Sequence, residues 1–327
     1  MRWPSGPSAG LYLGKGITLD RVRQLLHTRF GVGRVDVAWI GGRSTWAAAV
    51  PEGLPDVYPD DIIPLSGLAT PWGPLGRLRL VNVQGRPLLR IPVHGWLAPD
   101  GSLQPSVEAS LRVFYLLHEL GVRCVLIDAA VAGVTLAPGD LLIPTDLIDP
   151  HHRPAACDLA RRLGRVSGVR MAQPFCPQIR ARVMAAVRDL LAEGPTVYEP
   201  LSGMLYNEGI YGCAAYGPLE TAAEVRQCRR EGWSVIGPVG GLEALLARIL
   251  GLHLALIAVV THRAEGLDDG SGVAGLGAFY RACAGPVATV GWQVARSLVL
   301  EGVALDGCAC EALANDQGAE GLPLPNA

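Results

Sequence analysis

Two glycines followed by an arginine and a serine, at residues 41–44, form the first group that could do chemistry. They directly follow the largely apolar run 35–40, which predicts a buried strand that runs into a tight loop. The guanidinium of Arg43 could bind an anion there through two parallel hydrogen bonds. The same long side chain could equally point to solvent, so both interpretations stay open.

Two pairs of side chains with metal or redox chemistry are adjacent or nearly adjacent in the sequence. His151 and His152 follow a loop, where solvated histidines are expected and a metal role is the alternative. Cys308 and Cys310 form a Cys-x-Cys that could enter disulfide or redox chemistry or remain as thiols. The eight cysteines show no paired spacing typical of metal ligands, so we predict no metal site. Four others are expected to be buried free thiols: Cys124, Cys213, Cys228 and Cys283.

Several well-defined catalytic patterns are absent from the sequence. It contains no Ser-His-Asp order, no P-loop and no zinc-finger spacing. The glycines at 275 and 277 lack the strand-turn-helix context of a dinucleotide-binding fingerprint. We therefore expect no cofactor.

Composition narrows the function classes further. The chain has 327 residues, with 28 Lys and Arg against 30 Asp and Glu, so it offers no basic excess for nucleic acid. Its longest apolar run, 252–261, is interrupted by His253 and is shorter than the roughly 18 residues of a membrane span. Residues 1–10 lack the charged and apolar regions of a signal peptide. These observations predict a cytoplasmic protein without nucleic-acid or membrane partners.

The elements that must position these residues alternate between strands and helices. Strands are predicted at 35–40, 77–84, 87–93, 124–128, 140–144, 210–215, 234–236 and 253–261. Helices are predicted at 19–26 with Asp20 as the N-cap, and at 106–120, 178–193, 222–231, 242–250 and 275–300. Such alternation implies an α/β fold with a mostly parallel or mixed sheet covered on both faces.

The chain is predicted to fold as one domain, because no internal repeat or long linker divides it. Residues 1–34 form an N-terminal extension with a short helix, and residues 35–301 form the α/β domain. Residues 302–327 are polar and rich in glycine, which predicts a flexible C-terminal tail.

Seven sequence blocks resemble the family of methylthioadenosine phosphorylases and purine nucleoside phosphorylases, and are closest to its methylthioadenosine branch. They occur in the family's order and at near-family spacing: 37–42, 70–73, 88–95, 138–149 beginning Pro-Gly-Asp, 171–177, 217–224 and 243–251. The resemblance implies a single α/β domain with a phosphorylase/hydrolase-like mixed β-sheet, closed into a distorted barrel and flanked by helices. It also implies a homotrimer or hexamer with active sites near the subunit boundaries.

The resemblance implies a pentosyltransferase that cleaves the N-glycosidic bond of a purine or 5'-methylthio-purine nucleoside. Phosphate is the nucleophile and co-substrate in this family, and the transition state resembles a ribosyl oxocarbenium ion. Catalysis therefore needs an anion pocket, an apolar floor for the ribose, and a group that accepts the charge developing on the departing base.

The family's anion-binding motifs are changed in this chain. Where the family follows its paired glycines with Ser or Thr and then Gly, this chain places Arg43 and Ser44 after Gly42. The family's Arg-His-Gly motif becomes Arg90, three intervening residues and His94. Arg90 would reach the anion only if the inserted residues loop it inward. These five residues are the predicted phosphate ligands.

The strand ends that contact phosphate and nucleoside are changed as well. The family's small-residue strand end aligns with Ile127-Asp128, where a carboxylate would repel phosphate. The family's Met-Thr or Met-Ser pair becomes Pro238-Val239, which removes a hydroxyl. We predict Asp128, Ala129, Pro238 and Val239 as nucleoside contacts.

Two residues are the predicted catalytic contacts to the base. His262 replaces the family's Asp or Asn after the last core strand, and histidine exchanges protons readily near neutral pH. It could protonate a leaving base, or only cap the end of a strand. Glu220 is the nearest match to a glutamate that some purine-specific members use for the base.

These changes leave three functions open. The first is a phosphorylase, the second a non-catalytic ligand-binding paralogue or partner subunit of an active enzyme, and the third a nucleosidase in which Asp128 orients water. Some thermophilic members of the methylthioadenosine branch carry a C-terminal Cys-x-Cys with a disulfide-related stabilising role. The resemblance therefore adds that role as an alternative for Cys308 and Cys310.

Overall fold

The two longest strands lie side by side at the centre of the sheet. The computed structural model describes residues 17–45, 48, 50–92, 106–165, 167–192, 201, 203–267, 276–302 and 308–315. The central pair is β5 (Cys124–Gly133) and β11 (His253–Arg263), which run parallel and are buried along most of their length. Burial on both faces explains their nearly uninterrupted apolar sequences.

The described residues form eleven strands. Besides β5 and β11 these are β1 (Val37–Gly41), β2 (Ile62–Leu65), β3 (Leu78–Val83), β4 (Arg86–Pro92), β6 (Leu141–Leu142), β7 (Asp146–Ile148), β8 (Leu205–Tyr206), β9 (Ile210–Cys213) and β10 (Val235–Gly237). The main path runs β2-β3-β4-β1-β5-β10-β9-β7, while β11 joins β5 to β6 and β6 pairs with β8. Parallel and antiparallel pairs are mixed, as the sequence predicts.

The sheet is distorted because β5 pairs with different strands along its length. Its first half pairs with β1, in a register that places Gly41 opposite Asp128. Its last two residues pair antiparallel with β10 instead. β11 carries an irregularity between Val260 and His262.

Helices cover both faces of the sheet. They are α1 (Leu19–Phe30), α2 (Val107–Glu119), α3 (Arg153–Arg162), α4 (Pro177–Ala192), α5 (Ala222–Arg230), α6 (Gly241–Leu250), α7 (Leu276–Glu301) and α8 (Cys310–Asn315). Buried apolar residues of α2, α3 and α6 form one core with one face of the sheet, and those of α4 and α7 form a second core with the other. The predicted α/β layering is confirmed.

The two ends of the chain contribute helices that pack on the domain. Thr18, rather than the predicted Asp20, is the N-cap of α1, because the Thr18 hydroxyl accepts a hydrogen bond from the Arg21 amide. Val22 and Leu26 of this helix are buried in the first core. Within the segment predicted to be a flexible tail, residues 310–315 form α8, with Cys310 buried in the second core.

Among the described residues, no helix is both long enough and apolar enough to span a bilayer.

Candidate active site

A cavity of about 860 Å³ opens where four strands end. Its walls are the ends of β5, β9, β10 and β11 and the first residues of α2 and α7. Its size is typical of a small-molecule site. The lining residues are mostly apolar and comprise 106–108, 130–132, 214–220, 236–239, His262, Leu276 and Tyr280.

Four of the predicted site residues meet in this cavity. Glu220 and His262 line it together with Pro238 and Val239, although the first two are far apart in the sequence. The fold brings them together because β10 and β11 reach the same region of the sheet, and because the loop after β9 folds over it.

His262 lies just after the irregularity in β11, half-buried at the cavity wall. Its Nδ1 is 2.9 Å from the hydroxyl oxygen of Thr261. That hydroxyl donates its proton to the Val131 carbonyl at 3.3 Å, so it accepts from an Nδ1–H of the imidazole. This arrangement corresponds to the tautomer with hydrogen on Nδ1.

Glu220 lies in the loop between β9 and α5. The next residue, Thr221, caps α5: its hydroxyl accepts from the Glu224 amide, and Glu224 in turn accepts from the Thr221 amide. This reciprocal cap fixes the end of the loop and thereby positions the half-buried Glu220 at the cavity. Leu219 beside it is 62% exposed.

Asp128 does not lie at the cavity but at the centre of a buried polar cluster. Its carboxylate accepts hydrogen bonds from the Gly42 amide at 3.0 Å, the Trp39 indole at 3.0 Å and the Thr45 hydroxyl at 2.9 Å. The Ser44 hydroxyl also donates to it. The side chain of Asp128 is fully buried. We call Trp39, Gly42, Ser44, Thr45, Arg90 and Asp128 the Asp128 cluster.

Arg90 supplies the positive charge of this cluster. It donates to the Thr45 hydroxyl at 3.0 Å and to the Ile91 carbonyl at 3.1 Å, and its guanidinium lies 4.3 Å from the centre of the Trp39 ring. Burial lowers the pKa of Arg90 to about 10, although the charge of Asp128 opposes that shift. Burial also raises the pKa of Asp128, against the charge of Arg90 and the donated hydrogen bonds.

The loop donors predicted to bind phosphate are therefore occupied by a carboxylate of the protein itself. The Gly42 amide and the Ser44 hydroxyl both bind Asp128, and neither residue lines the cavity. A Cβ at position 42 would lie 2.3 Å from the Asp128 carbonyl oxygen, so the loop approaches β5 as closely as only glycine allows.

Two of the predicted nucleoside contacts, both on β5, do not line this cavity. Asp128 and Ala129 lie outside the cavity lining, which begins at Ala130 and continues to Ala132. The reason is the pairing of the strand: up to Asp128, β5 is flanked by β1 and β11, whereas residues 129–131 have no partner on the β1 side before β10 pairs at 132–133.

The side chains of two predicted anion ligands, Arg43 and His94, lie outside the described part of the structure. The backbone of Arg43 belongs to a 3-10 turn over Arg43–Thr45, but its side chain lies outside the described part of the structure. His94 falls within residues 93–105, which lie outside it as well.

A second polar group behind the cavity was missed by sequence reasoning. His152, predicted to be solvated, is buried, and its Nδ1 lies 3.0 Å from an Asp149 carboxylate oxygen. Burial would lower the pKa of His152, but the hydrogen bond and charge of Asp149, together with the charge of Glu243, raise it. Burial would raise the pKa of Asp149, but its hydrogen bonds to His152 and to the His151 amide lower it.

This group reaches the cavity through Tyr216. The Tyr216 ring packs edge-on against His152 with the ring centres 5.7 Å apart, and the residue also lines the cavity. Glu243, behind it, accepts from the Ser110 hydroxyl and the Gly240 amide, and burial raises the pKa of its carboxyl. The one available signal was that Asp149 ends the Pro-Gly-Asp block.

Metal-ligating side chains also converge, although the sequence predicts no metal site. Among the described residues, two groups offer three or more such ligands within 4.8 Å of one another. They are Asp149, His152 and Cys213, and Cys176, His253, Cys308 and Cys310. The four cysteines predicted to be buried thiols, at 124, 213, 228 and 283, are confirmed as such.

Comparison with known proteins places this geometry in a family. Residues 61–295 match the Phosphorylase superfamily. A probable S-methyl-5'-thioinosine phosphorylase of Pseudomonas syringae pv. tomato is 29% identical over 200 residues, which cover 60% of this chain and 76% of the relative. A purine nucleoside phosphorylase of Streptomyces coelicolor is 33% identical over 216 residues, covering 62% of this chain and 71% of the relative.

Solved structures show the same fold. A methylthioadenosine phosphorylase from an antarctic soil metagenomic library matches with a TM-score of 0.64 at 20% identity, covering 86% of this chain and 91% of that one. A methylthioadenosine phosphorylase of Schistosoma mansoni in complex with adenine matches with a TM-score of 0.63 at 21% identity, covering 86% and 98%.

Proposed function

Because the chain belongs to the Phosphorylase superfamily, we propose that it cleaves the N-glycosidic bond of a purine nucleoside in the cavity, with phosphate as the acceptor. The observation that carries this proposal is the joint presence of His262 and Glu220 on a mostly apolar cavity of about 860 Å³. One wall can pack against the sugar, while the side chains of His262 and Glu220 contact the base.

In the proposed reaction the bond between the ribose C1' and the purine N9 breaks, and its electron pair goes to the purine. The protonated Nε2 of His262 donates a proton to the leaving base, while phosphate oxygen forms a new bond to C1'. A positioned general acid of this kind accelerates a reaction by about 10²–10⁴-fold. The Thr261 hydroxyl holds the imidazole in the tautomer that this step needs.

The substrate class includes 5'-methylthio nucleosides. Val107, Leu276 and Tyr280 contribute apolar surface at the helix starts that line the cavity, which suits an uncharged thioether better than a polar 5'-hydroxyl. The relative in Pseudomonas is named for a 5'-methylthio nucleoside, S-methyl-5'-thioinosine.

A second candidate, cleavage or binding without phosphate, is favoured by the Asp128 cluster. A phosphate at the Gly42 loop would meet the carboxylate of Asp128, and the donors of that loop are already bound to it. Under the first proposal phosphate must therefore be held outside this cluster, with Arg43 and His94 as its ligands. Under the second, water replaces phosphate or no reaction occurs.

Release of free base distinguishes these functions. The purified protein is incubated with methylthioadenosine, methylthioinosine, inosine and adenosine, each with and without phosphate, and the base is quantified by chromatography. Phosphate-dependent release supports phosphorolysis, and release without phosphate supports hydrolysis. No release from any substrate overturns the enzymatic proposal, and binding of the same nucleosides measured by calorimetry then supports the binding protein.

A matched pair of variants ties the activity to the cavity. Ala130→Trp inserts a large ring where Ala130 lines the cavity, whereas Ala181→Trp places the same ring on the exposed side of α4. We expect the first variant to lose nucleoside binding and base release and the second to keep both. Equal activity of the two would place the reaction elsewhere.

We also propose a homotrimer or hexamer located in the cytoplasm. Leu219, 62% exposed at the cavity, offers apolar surface for a neighbouring subunit. Light scattering coupled to size exclusion measures the oligomer mass directly, and a monomer at micromolar concentration would contradict this assembly.

A further inference from the structure

Three thiols and one imidazole converge at the edge of the sheet opposite the cavity. Cys176 lies just before α4, His253 begins β11, and Cys308 and Cys310 lie before and at the start of α8. Their ligand atoms all lie within 4.8 Å of one another. Cys176, His253 and Cys310 are buried and Cys308 is half-buried. We call these four residues the Cys3His cluster.

The distances fit a tetrahedral metal centre. The Nδ1 of His253 is 3.7 Å from the Cys176 sulfur and 3.2 Å from the Cys308 sulfur. In a tetrahedron with metal–sulfur bonds of about 2.3 Å and metal–nitrogen bonds of about 2.0 Å, ligand atoms lie roughly 3.5–3.8 Å apart. The two distances from His253 to sulfur thus differ from tetrahedral values by only ~0.2–0.3 Å, and the remaining ligand pairs lie within 4.8 Å.

The imidazole of His253 has a carboxylate near its far nitrogen. Its Nδ1 faces the sulfurs, while its Nε2 is buried without a hydrogen-bond partner, 3.6 Å from a Glu311 carboxylate oxygen. A carboxylate on the far nitrogen orients a ligating imidazole and makes it more basic. The Arg248 guanidinium donates to the Cys310 carbonyl at 3.1 Å and so adds positive charge beside the thiols.

Thiols alone explain this arrangement less well. The single lone pair of a neutral imidazole nitrogen accepts one S–H hydrogen bond at a time, yet two sulfurs approach Nδ1. A disulfide would use two of the three sulfurs and leave the third sulfur and the imidazole without a role. One zinc ion uses all four ligands at once.

We propose that the Cys3His cluster binds a structural Zn²⁺ ion. Four protein ligands fill the coordination sphere, which leaves no position for substrate or activated water. None of the four residues lines the cavity. His253 and His262 lie nine positions apart on β11, which is about 30 Å along a strand at ~3.3 Å per residue. The ion therefore acts on stability and not on the reaction.

The consequence is a fastened C-terminal segment. Cys308 and Cys310 are the ligands nearest the C-terminus, and α8 packs against the α6 side of the domain. The ion links that segment to the beginning of β11 and of α4, two elements of the central layers. The free energy of metal binding is thereby added to the free energy of folding.

The test measures metal in the full-length chain, purified without metal-affinity resin. We expect about one zinc per chain by mass spectrometry of the metal content, and less than a tenth of that in Cys310→Ser and in His253→Gln. Cys157→Ser, which removes the exposed cysteine of α3, should retain the full zinc content. Circular dichroism of each variant shows whether it is folded.

A second measurement does not depend on variants. Replacement of the ion by Co²⁺ in the wild-type chain should give the thiolate-to-cobalt charge-transfer band and the visible absorption of a tetrahedral site. Chelation should lower Tm without changing the oxidation state of the cysteines. Apo protein that takes up neither Zn²⁺ nor Co²⁺, or a disulfide among positions 176, 308 and 310 in unreduced peptide maps, would overturn the proposal.

Discussion

The carboxylate of Asp128, in the middle of β5, and the backbone amide of Gly42, just after β1, are joined by a hydrogen bond of 3.0 Å. The Ser44 and Thr45 hydroxyls bind the same carboxylate. Amides and hydroxyls in a tight loop beside a buried guanidinium are the groups that would otherwise hold an external anion. Asp128 is thus an internal anion in an anion-binding loop.

Removing this carboxylate should create a site for external anions. In Asp128→Ala, the loop donors lose their acceptor and Arg90 loses the opposing charge, and the unpaired buried charge should lower the free energy of unfolding by about 3–5 kcal/mol. Phosphate that enters the gap should restore stability, by ~2.7 kcal/mol at 100 times its Kd. Thermal unfolding of the variant with and without phosphate measures both effects.

The wild-type chain and an exposed substitution are the controls. Asp189→Ala, on the exposed side of α4, should match the wild type with and without phosphate. Chloride at equal ionic strength should not rescue Asp128→Ala. Equal stabilisation of the wild type and the variant by phosphate would contradict this prediction. If substitutions at residues 42–45 then abolish that stabilisation, the loop is open and phosphate binds beside Asp128.

Replacing His262 should slow the chemical step. In His262→Gln the side chain can still hydrogen-bond but cannot donate a full proton to the base, so kcat should fall by about 10²–10⁴-fold with a smaller change in KM. His27→Gln, on the exposed face of α1, is the matched control and should leave both constants unchanged. An active His262→Gln enzyme would assign the proton to another donor.

The long strands and helices that form the layers of the fold were predictable from the local sequence pattern. The short elements were not. β5 and β11 carry long apolar runs because both of their faces are buried, and α2 shows its N-cap serine and its apolar stripe. β7 has only three residues, too few for an alternating pattern to emerge. α3 was missed because Pro154 suggests a break, although proline is tolerated in the first turn of a helix.

Some residues of the candidate site were likewise predictable from the sequence, and others were not. Glu220 was identified because it lies in a block that resembles a family, and His262 because it follows the last core strand where that family has Asp or Asn; both line the cavity. The role of Asp128 depends on its strand register against β1, which no local pattern contains. The Cys3His cluster was invisible for a related reason, since its ligands come from segments that only the folded chain brings together.

Glu220 should determine which purines are accepted. A carboxylate can accept a hydrogen bond from the N1–H of a 6-oxopurine but not from the unprotonated N1 of a 6-aminopurine. Glu220→Ala should therefore lower kcat/KM for inosine-type substrates by about 10–100-fold, equivalent to a hydrogen bond to a charged group of about 1.5–3 kcal/mol. Adenosine-type substrates should change little.

Kinetic constants are measured with inosine-type and adenosine-type substrates, and a control variant carries the same Glu→Ala substitution away from the cavity. Glu265→Ala removes an exposed carboxylate outside the cavity lining and should alter neither ratio. A Glu220→Ala enzyme with equal losses on inosine and adenosine would show that Glu220 shapes the loop rather than contacting the base.

The buried pair of His152 and Asp149 should make stability depend on pH. The raised pKa of His152 means that its contribution is complete below the ordinary imidazole pKa of about 6.5 and is lost as pH rises through the raised value. The lowered pKa of Asp149 means that its contribution is complete above about pH 4 and is lost as pH falls through the lowered value. Both contributions are therefore complete between about pH 4 and 6.5.

Urea unfolding at pH 6 and pH 8.5 tests this dependence. The wild type should lose free energy of unfolding over this interval, and His152→Gln should be less stable at pH 6 but nearly insensitive to the change, because it has no imidazolium to deprotonate. Cys213, Glu243 and Tyr216 also face His152 and are unaltered in the variant, so the difference between the two slopes isolates the imidazole. Parallel slopes for wild type and His152→Gln would mean that His152 stays neutral beside Asp149 throughout this range.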